Sequence, residues 1–182
     1  MVNTFNSPVK VAHKYWTEIL EPTDTVIDAT LGNGQDAFFL EPLCGNLIGI
    51  DIQEQAIISA KKLLNSAKIQ YIHGTHASFP HYLMPQSVKL IVYNLGYLPR
   101  GDKSIVTKTE STLQSLSNAI PLIMPGGMIS VTCYSGHNEG AKEEKAVMEF
   151  ASRLDPKEWC SCHQRWLNRE LCPSLVLMTR QL

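Results

Sequence analysis

Apolar residues recur at offsets of three and four in the first segment, at Val9, Ala12, Trp16, Ile19 and Leu20. With Ser7-Pro8 ahead of them, that spacing predicts an amphipathic helix with a serine cap and a proline in its first turn. After the breaker Glu21-Pro22 the period changes. Thr25–Thr30 is short and rich in branched residues, and it empties into Leu31-Gly32-Asn33-Gly34. This predicts a buried strand feeding a glycine turn, with a helix over Gln35–Leu43 behind it. Leu47–Asp51 reads as the next strand, and Gln53–Ser66, with Ala56, Ile57, Ala60, Leu63 and Leu64 at helical spacing, as its crossover helix. The alternation continues with strands at Ile69–Ile72 and Val88–Tyr93 and a helix over Thr107–Ile123. A break at Met124-Pro125-Gly126-Gly127 and a strand over Met128–Tyr134 complete it.

A helix near Ala141–Leu154 precedes two β-like stretches, Glu158–Leu167 and Ser174–Gln181, joined only by Asn168–Pro173. So short a connection fits antiparallel strands and cannot hold a parallel crossover. The predicted fold class is α/β, a mostly parallel doubly wound sheet that ends in an antiparallel strand pair. That ending suits a Rossmann-like, class I S-adenosylmethionine-dependent methyltransferase better than a dinucleotide dehydrogenase. One domain is expected over residues 1–182, with residues 1–22 contributing a helix packed on the sheet.

Composition changes this picture in two respects. The 182 residues carry 16 Lys plus Arg against 17 Asp plus Glu, a formal net charge of -1. A protein that coats nucleic acid through a broad positive field is thereby excluded, so any nucleic-acid partner must meet a local patch. The 5 cysteines follow no repeating spacing, the first residues lack a signal-peptide core, and the apolar runs fall far short of a bilayer span. A reducing, cytoplasmic setting without membrane contact is expected.

The glycine turn holds the first candidate chemistry. Gly32-Asn33-Gly34-Gln35-Asp36-Ala37 lies between strand and helix, where glycines let backbone approach a ligand. The same spelling fits a nicotinamide cofactor or a plain structural turn. Asp51 closes the second strand, where a carboxylate can accept from both ribose hydroxyls of an adenosine. Asp28 closes the first strand; a carboxylate there repels a pyrophosphate and suits the ammonium of a methionine moiety, although it can equally cap the turn. The combination favours S-adenosylmethionine.

Asn94-Leu95-Gly96-Tyr97-Leu98-Pro99 follows the fourth strand, at the carboxyl edge where open α/β sheets bind ligands. Its position parallels the Asn-Pro-Pro-Tyr signature of amino-group methyltransferases, with Leu95 and Gly96 where prolines would stand. There the Asn side-chain oxygen and the next carbonyl accept from a target amine; a plain β-turn uses the same residues. His73 and His76 lie three apart but lack further ligands at usable spacing, so no metal is expected. His137 leaves the fifth strand at the same edge, and His137 or His76 is the candidate for moving a proton through water. Arg100, Lys103 and Lys108 form a basic group after Asn94, either phosphate contacts or a solvated loop.

With Asp28-Ala29-Thr30-Leu31-Gly32-Asn33-Gly34-Gln35-Asp36, Asn94–Lys103 and Tyr134-Ser135-Gly136-His137, the chain resembles the YtqB/MnmM family of rRNA-methylase relatives over nearly its whole length. The resemblance implies transfer of a methyl group from S-adenosylmethionine to 5-aminomethyl-2-thiouridine at the tRNA wobble position, giving 5-methylaminomethyl-2-thiouridine. It also implies cofactor contacts at Asn33, Gln35, Asp36, Asp51, Gln53, Thr75 and His76, with Asn94 and Tyr97 holding the amine. Ala37 stands where Thr is commoner, and Gly140 stands alone where a glycine pair is expected. The alternatives are methylation of rRNA, a small metabolite or a protein amine, and, from another class, a nicotinamide-dependent dehydrogenase. A homodimer is expected to help so small a chain recruit the anticodon stem-loop.

Overall fold

The computed structural model describes residues 7–96, 98, 106–169 and 172–182. Within them the chain runs α1 (Pro8–Ile19), β1 (Thr25–Asp28), α2 (Gln35–Leu40), β2 (Asn46–Asp51), α3 (Glu54–Leu63) and β3 (Ile69–His73). It continues through β4 (Val88–Leu95), α4 (Thr109–Ala119), β5 (Ile123–Cys133), α5 (Asn138–Ser152), β6 (Trp159–Gln164) and β7 (Ser174–Arg180). The strands form one 7-stranded sheet in the order β3-β2-β1-β4-β5-β7-β6. Strands β1 to β5 pair in parallel, and β7 pairs antiparallel with both β5 and β6. This is the α/β architecture, with its antiparallel ending, that the hydrophobic pattern predicts. The chain order reverses between β1 and β4, the position at which open sheets leave a crevice.

Successive side chains of each strand go to opposite faces and build two cores. Val26, Leu90, Val92 and Leu175 pack with Val11, Trp16, Ala37 and Ile57 under α1, α2 and α3. Ile27, Ile91, Ile129 and Val176 pack with Leu116 and Val147 under α4 and α5. Each such fully buried aliphatic side chain stabilises the fold by ~1.5–3 kcal/mol. The helix α1 is pinned by Trp16, 2% exposed, and lies against β5 and β7. Two clamped layers fix where the carboxyl ends of β1, β2 and β4 stand, and the site is assembled there.

Several boundaries differ from the sequence reading. The helix predicted over Thr107–Ile123 spans Thr109–Ala119, because Ile123 already pairs with Val88 in β5. Met124–Gly127 does not end an element: Val88 pairs with Ile123 and Leu90 with Met128, so these residues bulge out within β5. Glycine is required in that bulge, because a Cβ on Gly127 would sit 2.8 Å from the carbonyl oxygens of Lys89 and Met124. β4 runs on past Tyr93 because the ladder to β5 continues through Asn94–Thr132 and Leu95–Cys133. α5 begins at Asn138 because His137 caps it, its Nδ1 accepting from the Gly140 N–H at 3.0 Å.

Candidate active site

The turn after β1 is suspended between its neighbours. The Ala29 N–H donates to the Val92 carbonyl and the Leu31 N–H to the Ile50 carbonyl, both at 2.9 Å. Gly32 (φ 53°) and Gly34 (φ 80°) then adopt left-handed backbone, which side chains other than glycine rarely take. At Gly34 a Cβ would also meet Ala60 Cβ and Leu64 Cδ1 of the α3 segment at 3.0 Å. The helix that follows, α2, spans only 6 residues. Backbone curvature and carboxylates define this site more than a helix dipole does.

Three carboxylates line it. Asp51 Oδ2 accepts from the Gly32 N–H and Oδ1 from the Gln53 N–H, each at 2.8 Å, which locks the β2 end to the glycine turn. Each oxygen keeps a lone pair for a further donor. Asp28 is 1% exposed; Oδ1 accepts from the Thr30 N–H at 3.3 Å, and Oδ2 is buried without a partner. Burial first, then the nearby charges of Asp36 and Asp51, holds the Asp28 carboxyl well above the usual carboxylate range. A buried carboxylate oxygen without a donor suits a cationic group and opposes the pyrophosphate of a nicotinamide dinucleotide. Gln53 is half-buried at the α3 cap, while Asn33 is half-buried and Gln35 exposed on the turn itself.

Asn94 stands opposite. Its backbone N–H donates to Thr30 Oγ1, and its side-chain Nδ2 to Asp36 Oδ2, both at 2.7 Å. A carboxylate only accepts, so the amide can face Asp36 only with its NH2 group, and Asn94 Oδ1 is turned the other way. Asp36 is gripped from its other side by His13 Nε2, 2.7 Å from Oδ1. The His13 ring stacks on Phe39 with centroids 3.8 Å apart. His13 is therefore a member of the site that the sequence reading missed; the legible sign was a histidine beside the apolar stripe of α1. Tyr134 is a second one: its side chain lies against Gly96, where a Cβ would sit 3.6 Å from Tyr134 Cβ. Although it is 38% exposed, partial desolvation first and then the Asp36 charge push its phenol above the usual range. The Leu95 carbonyl accepts from the Tyr134 N–H at 3.3 Å, and the Gly96 carbonyl from the Thr107 N–H at 3.0 Å.

The remaining candidates fall elsewhere. Asp36 reaches Asn94 rather than the turn alone, which makes it a positioning group as well as a cofactor candidate. Thr75 is exposed, and its Oγ1 accepts from the Ala77 N–H at 3.2 Å. The His76 ring lies toward α4, with Nε2 3.5 Å from Thr112 Oγ1 and the ring edge-on to Tyr93; burial pushes its pKa down. With Nδ1 of His137 accepting the cap bond, the neutral ring carries its proton on Nε2 and has no spare lone pair for a base. That corrects the expectation of His137 as a proton acceptor. Lys108 is exposed at the cap of α4, where its carbonyl accepts from the Thr112 N–H at 3.0 Å. Tyr97, Arg100 and Lys103 lie outside the described residues.

Known proteins bear on this geometry. Residues 47–180 match the family described as "Putative rRNA methylase". The chain is 36% identical, over 94% of its length and 69% of the relative's, to a chloroplastic tRNA (mnm(5)s(2)U34)-methyltransferase of Arabidopsis thaliana. A "putative rRNA-methylase" structure from Clostridium thermocellum superposes with a TM-score of 0.91 at 36% identity, covering 97% of this chain and 99% of that one. A "putative methyltransferase" of Streptococcus mutans in complex with SAH superposes with a TM-score of 0.87 at 28% identity, again covering 97% and 99%.

Proposed function

The chain belongs to the "Putative rRNA methylase" family, and from that membership and the fixed Asn94 amide we propose that it N-methylates the aminomethyl group of 5-aminomethyl-2-thiouridine in the tRNA wobble position. Its fold is the Rossmann-like fold of class I methyltransferases, and its chemistry is S-adenosylmethionine-dependent methyl transfer. The observation that carries the choice of an amine is the Asn94–Asp36 hydrogen bond. It turns Asn94 Oδ1 outward as an acceptor for an N–H, which aims the nitrogen lone pair away from the asparagine.

The residues present fit the cofactor. The buried, unpartnered Oδ2 of Asp28 would take its ammonium group, and the remaining lone pairs of Asp51 its ribose hydroxyls. Gly32, Asn33, Gly34 and Gln35 would cradle it from the turn, with Gln53 and the backbone of the Thr75–His76 segment toward the adenine, the His76 ring being turned to α4. Bound S-adenosylmethionine supplies a methyl group on a sulfonium, an electrophile that needs no further activation. The protein's part is to hold the amine in line, and positioning of this kind lowers a barrier by several kcal/mol. Tyr97 is proposed to pack on the substrate.

The reading extends to one domain over the whole chain, and to the cytoplasm as the compartment. No helix among the described residues is long and apolar enough to cross a membrane. A homodimer is part of the same reading, which light scattering with and without an anticodon stem-loop tests.

Mass spectrometry of nucleosides decides the substrate. After incubation with S-adenosylmethionine, tRNA carrying 5-aminomethyl-2-thiouridine should gain one methyl group on that nucleoside. Asn94→Ala should abolish the gain and still bind SAH. Methylation of rRNA or a small amine, with that nucleoside unchanged, would overturn the substrate and leave the methyltransferase standing.

A further inference from the structure

A chain of net charge -1 that acts on RNA must concentrate positive charge somewhere. The topology identifies one such place. The C-terminal end of α1 leads into the start of β1, so the N-terminal end of α1 lies at the carboxyl edge of the sheet; the His13–Asp36 contact places it there independently. β6 runs toward the same edge. Gln164, its last residue, pairs with Leu175, and Ser174 pairs with Cys133 at the end of β5. The β6–β7 connection therefore leaves and re-enters the sheet on the edge where Asn94 stands. Gln164 Nε2 donates to the Tyr15 hydroxyl at 2.6 Å, which ties that connection to α1.

These two segments share an unusual composition. Lys10 and Lys14 are exposed one turn apart on α1, and no acid occurs from Pro8 to Thr17. Arg165 and Arg169 are exposed on the connection, whose sequence sets these two cations against one acid, Glu170. Trp166 is partly buried against the α1 core cluster and anchors the loop. Leu167 is 100% exposed, an apolar side chain packed on nothing. Together the loop residues line a concavity of about 400 Å³.

We propose that Lys10 and Lys14 of α1, with Arg165, Leu167 and Arg169 of the β6–β7 connection, form the surface that grips the RNA beside the reacting nucleotide. The proposal rests on the tRNA reading above. Four cations on two segments tied together by the Gln164–Tyr15 hydrogen bond match the phosphates of a folded strand, and Leu167 offers an apolar face for a ribose or base. The surface lies on the α1 face of the sheet, whereas Lys108 lies on the α4 face. It is therefore separate from Lys108.

Two double variants test it, Lys10→Ala/Lys14→Ala and Arg165→Ala/Arg169→Ala, both on exposed side chains. tRNA binding is followed by fluorescence anisotropy between about 50 and 200 mM salt, and SAH binding by thermal shift. Each variant should weaken tRNA binding on the order of tenfold and reduce the slope of log Kd against log salt by one to two units. The SAH shift should stay at the wild-type value, and kcat at saturating tRNA should change little while KM rises. Variants with wild-type affinity and salt slope, from a protein that does methylate tRNA, would overturn this surface alone. Wild-type protein that neither binds nor methylates tRNA would overturn the surface together with the substrate reading.

Discussion

His13 Nε2 lies 2.7 Å from Asp36 Oδ1, so the first helix of the chain takes part in the site at the far side of the glycine turn. Asp36 in turn holds Asn94, and the three side chains form one line from α1 to β4. In the proposed reading Asn94 meets the target amine, and Asp36 and His13 act on it only by holding Asn94. Asp36 and His13 are thus positioning residues, and their value depends on each other.

Asp36→Ala should lower kcat on the order of 10²-fold, the loss that misplacing a reacting group typically brings, with a small change in KM for S-adenosylmethionine. His13→Ala should cost less, roughly tenfold, because Asp36 keeps one partner. In the Asp36→Ala background the His13 substitution should cost almost nothing more. Single-turnover rates of the four proteins measure this coupling, and fully additive losses would show that His13 acts only on the fold.

The pH dependence of the rate follows from what the site lacks. His137 spends its lone pair on the α5 cap, and burial depresses the His76 pKa beside Thr112. Asn94 is no base, and with neither of these histidines, among the described residues, offering a lone pair to the amine, the expectation is that the amine sheds its proton to solvent before it binds. An alkylamine of lysine-like pKa is neutral in a fraction that rises about tenfold per pH unit below that pKa. The subsaturating rate should climb with that slope through neutral pH, and His76→Gln and His137→Gln should climb in parallel with wild type. A plateau near pH 7 that disappears in either variant would reveal a protein base.

Gly34 carries a structural consequence. Alanine there meets both the left-handed φ of 80° and the Ala60 and Leu64 side chains at 3.0 Å. The conformational cost is roughly 1–2 kcal/mol before any displacement of α3 is counted. Urea denaturation of Gly34→Ala should show a loss of at least that size, while Gly136→Ala, with open space around its Cβ position, should lie near wild type.

Much of this was legible in the chain because each signal was local. The branched run Thr25–Asp28, the glycines after it and the short Asn168–Pro173 connection each set a strand, a turn or a pairing direction by themselves. The bulge at Met124–Gly127 was not, since Pro-Gly-Gly spells a break unless the ladder from Val88 to Leu90 is known to continue past it. The same reason hid the α1 surface. Lys10, Lys14, Arg165 and Arg169 are two sparse pairs at opposite ends of the sequence, and only the antiparallel return of β7 brings them to one edge. His137 misled for the converse reason: its place after β5 suggested catalysis, while the backbone of its own helix claimed the ring.

Asp28 offers the test that separates ligand binding from fold. Burial, with the charges of Asp36 and Asp51 adding to it, raises its pKa in the folded protein. The folded state then holds the proton more tightly than the unfolded chain, whose value is about 3.9. Ligand-free stability should fall as pH rises from there to the raised value, and stay level above it. Asp51 and Glu143 shift in the same direction through burial, so the measurement is the difference between wild type and Asp28→Asn. Urea midpoints across pH 4 to 8 should decline less steeply in the variant. A cationic ligand group on Oδ2 would favour the ionised carboxylate, so SAH should stabilise wild type more than Asp28→Asn at neutral pH. Equal stabilisation of the two proteins by SAH would remove Asp28 from the cofactor site and leave its buried oxygen as a feature of the fold.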